Sequence, residues 1–202
     1  MPKVCAVIRS NLKDAKNAIN AADLIEIRAD CIKGLDRLRT NKKKILTVRK
    51  EADGGKWRGN EKEREALIAR LLPSFDFVDI ELGSKTMKSV LGLSKKLGKR
   101  TILSYHNIRR TPSLLELKKV FKAASKHGMP KIATRINAFA DILILMELVN
   151  FSRGRCIVVG MGTLGKITRV LFPLMGCPWT YGTLEKSELI TIKELRGYWN
   201  AF

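Results

Sequence analysis

Short aliphatic and β-branched runs recur along the chain at 4–8 (VCAVI), 24–28 (LIEIR), 44–49 (KILTVR), 77–82 (FVDIEL), 100–106 (RTILSYH), 131–136 (KIATRI), 155–161 (RCIVVGM) and 178–182 (PWTYG). Each has the length and composition of a buried strand. Between them lie stretches whose apolar residues return every three or four positions: 60–72 (NEKEREALIARLL), 87–98 (MKSVLGLSKKLG), 113–128 (SLLELKKVFKAASKHG) and 137–151 (NAFADILILMELVNF). That spacing puts the apolar side chains on one face of a helix. The third stretch opens after Thr111-Pro112 and closes on Gly128, a start and a stop signal. Strand and helix alternate throughout. Eight such units predict an α/β protein of the (β/α)8 TIM-barrel type, a single domain over 1–202, rather than an open doubly wound sheet.

Composition narrows the picture further. With 202 residues, 45% of them hydrophobic, the chain suffices for one sizeable core and is cramped for two. No apolar run approaches the roughly 20 residues of a membrane span. The opening MPKVCAVIRSN has neither a signal-peptide core nor a cleavage site, so a cytoplasmic protein without membrane contact is expected. Cys5, Cys31, Cys156 and Cys177 show no C-x-x-C spacing and sit in or beside apolar runs, which reads as packed, reduced thiols. With only His106 and His127 besides, no zinc or iron site is expected. The net charge of +20, from 39 Lys and Arg against 19 Asp and Glu, fits either a nucleic-acid face or a solvated lysine-rich surface that draws small anions. Distribution favours the second reading. The cations are spread along helical faces such as KKLGKR and LKKVFKAASKHG, with no basic tail and no interleaved aromatics for base stacking.

A barrel places its chemistry at the carboxyl ends of its strands. Those ends carry Glu26, Arg28, Arg49, Glu81, His106, Lys131 with Arg135, Met161 and Tyr181. Charge is costly inside an apolar strand unless it is paired or functional. Lys131, in PKIATR, is a candidate nucleophile: a buried lysine with cations nearby loses its proton easily, and the neutral amine attacks carbonyls to give a Schiff base. A lysine snorkelling to water is the alternative. His106, in SYHN, is the histidine placed for general acid/base work, or else a hydrogen-bonded structural residue. His127, in KHG at a helix end, reads as a plain C-terminal cation. Arg28, Arg49 and Arg169 each offer a fork for a carboxylate.

The stretch RCIVVGMGTLGKITR at 155–169 spells both G-x-G-x-x-G and G-x-x-x-x-G-K. Both spellings can hold phosphate on backbone N–H groups at a helix start. As a P-loop it fails, because Ile167 follows Lys166 where a magnesium-binding Ser or Thr belongs. A dinucleotide fold needs more chain than the roughly forty residues that follow.

Taken in order, E-I-R-A-D at 26–30, T-V-R with a G-G at 47–55, V-D-I-E-L at 78–82, S-Y-H-N with T-P at 104–112, P-K-I-A at 130–133 and M-G-x-x-G-x-x-T-R at 161–169 resemble the type I 3-dehydroquinate dehydratases of the shikimate pathway. The resemblance covers nearly the whole chain. It implies a (β/α)8 barrel, commonly a homodimer, that dehydrates 3-dehydroquinate, a small anionic substrate, without metal or organic cofactor. By position, Lys131 resembles the Schiff-base lysine and His106 the general acid/base. Glu26, Arg28 and Arg49 resemble substrate-binding positions, Arg169 the arginine that meets the substrate carboxylate, and Met161 an apolar wall. The glycines at 160, 162 and 165 then serve a sharp turn after the seventh strand, and the anion is a carboxylate rather than a phosphate.

Two departures from the family pattern stand out. A glutamate usually precedes the paired glycines and supports the histidine; here Asp53 takes that place, one methylene shorter. The Ser-Ala-Pro-Gly-Gln lid motif is absent, about three residues shorter, which leaves Ser187 or Glu188 near the lost contacts. Two other classes fit parts of the sequence: an aldolase-like Schiff-base barrel, and a basic, non-catalytic nucleic-acid-binding barrel. The eighth-strand loop, YGTLEKSE, lacks the glycine-rich turn that a sugar-phosphate aldolase would want.

Overall fold

A computed structural model describes residues 1–9, 17, 20–32, 40–184 and 190–201. Eight strands run in the order β7-β6-β5-β4-β3-β2-β1-β8, and every neighbouring pair is parallel. They are β1 (Val4–Ile8), β2 (Leu24–Arg28), β3 (Lys43–Thr47), β4 (Phe77–Glu81), β5 (Arg100–Asn107), β6 (Met129–Arg135), β7 (Ile157–Met161) and β8 (Thr180–Gly182). The described helices are α1 (Glu61–Leu71), α2 (Met87–Lys96), α3 (Leu114–Ser125), α4 (Phe139–Ser152), α5 (Lys166–Leu174) and α6 (Ile192–Asn200). This is the expected TIM barrel.

Strand alternation sorts the side chains. Ile25 and Ile27 of β2, with Val78 and Ile80 of β4, face outward into a core shared with the surrounding helices. Cys5, Leu24, Ile45, Phe77, Ile102, Ile157 and Trp179 face inward and fill the barrel floor. Above that floor the same inward series turns polar: Glu26 and Arg28 on β2, Asp79 and Glu81 on β4, Ser104 on β5 and Lys131 on β6 are all buried. A buried polar layer persists only when its members satisfy one another.

Helix starts follow the sequence signals. Asn60 with Glu63, Ser113 with Glu116 and Thr191 with Glu194 form reciprocal capping boxes at α1, α3 and α6. The turn into α5 depends on glycine. Gly162 has φ +86°, and a Cβ on Gly165 would lie 2.5 Å from the carbonyl carbon of Gly160, so the chain folds back on itself there only without side chains.

β8 pairs with β1 but forms no ladder with β7. At this seam the carbonyl of Tyr181 instead accepts a hydrogen bond from Arg169 Nη1 of α5, 3.1 Å away. An arginine head group thus stands where a strand–strand bond would close the barrel.

Candidate active site

A cavity of about 550 Å³ opens at the carboxyl ends of the strands. It is lined by Glu26, Arg28, Arg49, Asp53, His106, Lys131, Met161 and Arg169, which brings the residues matched to the family's catalytic and binding positions into one space, while Glu81 lies outside the lining. Ser187 and Glu188 lie outside the described residues.

Lys131 stands at the centre. Its Nζ is 2.9 Å from Glu26 Oε2 on β2 and 2.9 Å from Asp79 Oδ2 on β4, and it lies 4.2 Å from the ring centroid of Tyr181. Burial disfavours the ammonium, but Asp79 and Glu26 outweigh it and hold the Lys131 pKa above its ordinary value. This corrects one expectation from the sequence. Nearby cations do not leave the resting lysine neutral; two buried carboxylates keep it charged.

Asp79 ties the layer together. Its Oδ1 accepts from Arg49 Nη2 at 2.6 Å and from Ser104 Oγ at 2.6 Å, while its Oδ2 faces Lys131. Despite burial, Arg49 and Lys131 hold its carboxyl well below the usual range. Arg49 also reaches Glu81 Oε1 and Ser104 Oγ, both at 2.8 Å. Glu81 is in turn bonded to Arg64, a fully buried arginine of α1 that also donates to the carbonyl of Val48. Arg28 closes a two-pronged pair with Asp30, at 2.9 and 2.6 Å, and Asp30 further accepts from the N–H groups of Arg49 and Lys56. The forks of Arg28 and Arg49 are therefore engaged by protein carboxylates. Among the described residues, Arg169 alone of the three has no carboxylate partner.

His106 lies two positions beyond Ser104, the register partner of Lys131, and so faces the same interior one step nearer the rim. Burial, reinforced by the charges of Arg49 and Lys131, pushes its pKa well below 6.5. The neutral imidazole is the resting form at neutral pH. Its Nδ1 is buried without a hydrogen-bond partner among the described residues. Asp53 lines the same cavity, but its carboxylate lies 4.0 Å from Lys50 Nζ and makes no hydrogen bond to His106. The shortened side chain leaves the histidine without the carboxylate expected beside it.

Sequence reasoning missed the central role of Asp79 and the contributions of Ser104 and Arg64. For Asp79 the signal was present: 77, 79 and 81 alternate to one side of β4, so Asp79 shares a face with Glu81. Arg64 gave no such signal, since a charged residue in an EKER run reads as solvated.

The model of the type I 3-dehydroquinase family matches residues 4–201. The chain belongs to the type I 3-dehydroquinases. It is accordingly an enzyme of the lyase class. The 3-dehydroquinate dehydratase of Methanocaldococcus jannaschii is 32% identical over 96% of this chain and 96% of its own length. That of Methanothermobacter thermautotrophicus is 34% identical over 86% and 81% respectively. The crystal structure of the Aquifex aeolicus enzyme superposes with a TM-score of 0.84 at 28% identity, covering 99% of this chain and 98% of that one. Among the described residues of this 3-dehydroquinase, no helix is long and apolar enough to cross a membrane.

Proposed function

We propose that the chain is a single-domain lyase that dehydrates 3-dehydroquinate to 3-dehydroshikimate through a Schiff base on Lys131, without a metal or organic cofactor. The observation that carries this reading is the position of Lys131: a buried amine between two carboxylates in a cavity, with a neutral histidine on the adjacent strand. For the amine to attack the ketone, the ammonium must first lose a proton. Glu26 and Asp79, both 2.9 Å away, are the acceptors within reach. Condensation releases one water and leaves an iminium, which acidifies the hydrogens on the adjacent carbon. His106 removes one of them to give an enamine. The enamine electrons expel the β-hydroxyl, which leaves as water with the proton His106 returns. Hydrolysis of the conjugated iminium then frees the product and the lysine. Arg169, without a carboxylate of its own, takes the substrate carboxylate; Glu26, Arg28 and Arg49 shape the polar floor, and Met161 closes one wall. Asp53 assists His106 only when a bound ligand or solvent bridges the two. Incubation with 3-dehydroquinate and sodium borohydride tests the scheme: intact mass should show one reduced adduct, absent from Lys131→Ala. Its absence from the parent protein refutes the scheme.

The lowered pKa of His106 sets a pH signature. The base is active when unprotonated, so kcat/KM holds as pH falls from 8 and drops only through a midpoint below 6.5. His106→Ala should lose about 10²- to 10⁴-fold in kcat and lose that acid limb. An unchanged acid limb in the variant would assign the midpoint elsewhere.

We further propose a homodimer. Helix α4 is apolar on nearly every side, and Phe139 and Leu143 remain 72% and 60% exposed. Exposed apolar surface of this kind supports self-association. The double variant Phe139→Ser/Leu143→Ser should shift the sedimentation coefficient from dimer to monomer, whereas an unchanged value would place any interface elsewhere. Four free cysteines, three of them buried, support the expected cytoplasmic location.

A further inference from the structure

Seven cationic side chains line the cavity: Arg9, Arg28, Arg49, Lys131, Arg135, Lys166 and Arg169. Arg28 is neutralised by Asp30, Arg49 by Asp79 and Glu81, and Lys131 by Glu26 and Asp79. Arg9, Arg135, Lys166 and Arg169 have no acidic partner among the described residues. The substrate proposed above brings a single carboxylate, which Arg169 takes. Among the described residues, three cations at the rim are then left without a counter-charge.

Their placement is specific. Arg135 ends β6 and Met161 ends β7, paired in register. The Arg135 guanidinium packs across Gly162, close enough that a Cβ there would lie 3.1 Å from Nε. Lys166 occupies the first turn of α5, on the far side of the same turn. The turn's backbone adds donors: the N–H groups of Gly162, Thr163 and Leu164 have no acceptor among the described residues, whereas those of Gly165, Lys166 and Thr168 are bonded within the turn. Arg9 follows β1, and its charge joins burial in pushing Arg169 down to about 10. Like charges gathered this closely repel unless an anion sits among them.

We propose that Arg9, Arg135, Lys166 and the β7–α5 turn form a second oxyanion subsite at the rim, beside the carboxylate position, for a phosphate-class dianion. The inference rests on the dehydratase reading only in assigning Arg169 to the substrate. The glycine pattern of 160–166 acquires a second use here: its backbone donors serve a phosphate group even though the P-loop spelling fails at Ile167. The chemistry fits both free inorganic phosphate and a phosphate monoester.

Calorimetric titration separates these sources and needs no turnover, so it stands or falls independently of the dehydratase assay. Inorganic phosphate and glycerol 3-phosphate are titrated into the parent protein and into Arg9→Ala/Lys166→Ala, at ionic strength fixed with sodium chloride. Phosphate should bind the parent, and at least about fivefold more weakly the double variant. Glycerol 3-phosphate binding as tightly as phosphate assigns the subsite to esters; weaker binding assigns it to the free anion. Arg135→Gln, an exposed substitution at the same rim, should weaken phosphate in the same direction. Phosphate binding no stronger than matched chloride overturns the proposal, as does equal affinity in parent and variants.

Discussion

Lys131→Ala is expected to lower kcat for 3-dehydroquinate by at least about 10⁴-fold, because no other side chain can replace the covalent step proposed for it. The variant also removes the cation that Glu26 and Asp79 share, so Asp79 keeps Arg49 while the buried Glu26 loses its lysine partner. Breaking a buried pair from one side costs about 3–5 kcal/mol, so stability falls together with activity. Lys131→Arg separates the two effects. A guanidinium keeps the positive charge but stays protonated and cannot attack a ketone. Its melting temperature should lie nearer the parent's than that of the alanine variant, while kcat stays at the alanine level. Substantial turnover by either variant would remove Lys131 from the chemistry.

The second large effect lies outside the cavity. Arg64→Ala should destabilise the fold by about 3–5 kcal/mol, on the order of 10 °C in melting temperature for a chain of this size. Arg64 is fully buried and is bonded to Val48, Glu61 and Glu81. Its loss leaves Glu81 held, among the described residues, by Arg49 alone and opens a void between α1 and the barrel wall. Thermal unfolding checks the figure, and a shift of only a degree or two would mean that water or rearranged side chains replace the arginine. Because Glu81 also steadies Arg49, and Arg49 steadies Asp79, kcat should fall as well, although Arg64 does not line the cavity.

The barrel itself was legible because its period is written twice, in strand-length apolar runs and in helical spacing. β1 and β2 begin and end where the runs do. The misplaced ends have physical reasons. β8 begins at Thr180 rather than Pro178, since proline has no N–H to give to a ladder. β6 begins at Met129, before the apolar run, because the register with β5 pairs Met129 with Ile102. α6, over Ile192–Asn200, escaped the pattern: among ITIKELRGYWN, Gly197 and the polar neighbours weaken the helical signal, and Leu195 and Trp199 bury it through packing instead. For the site, residue types and alternation were enough to gather Glu26, Arg49, His106, Lys131 and Arg169. The protonation of Lys131 was not legible. It is decided by Glu26, 105 positions away, and Asp79, 52 away, which meet the amine only once the barrel has closed.

The paired state of Lys131 also bears on what the enzyme ignores. A free buried amine would condense with any small aldehyde or ketone that entered the cavity. Held as an ammonium by Glu26 and Asp79, with an aromatic ring against it, this lysine has no lone pair to offer. The amine is freed only when a proton passes from it to one of those carboxylates or to the ligand. The same carboxylates that make the lysine slow to react thus protect it from glycation and from chance carbonyl metabolites.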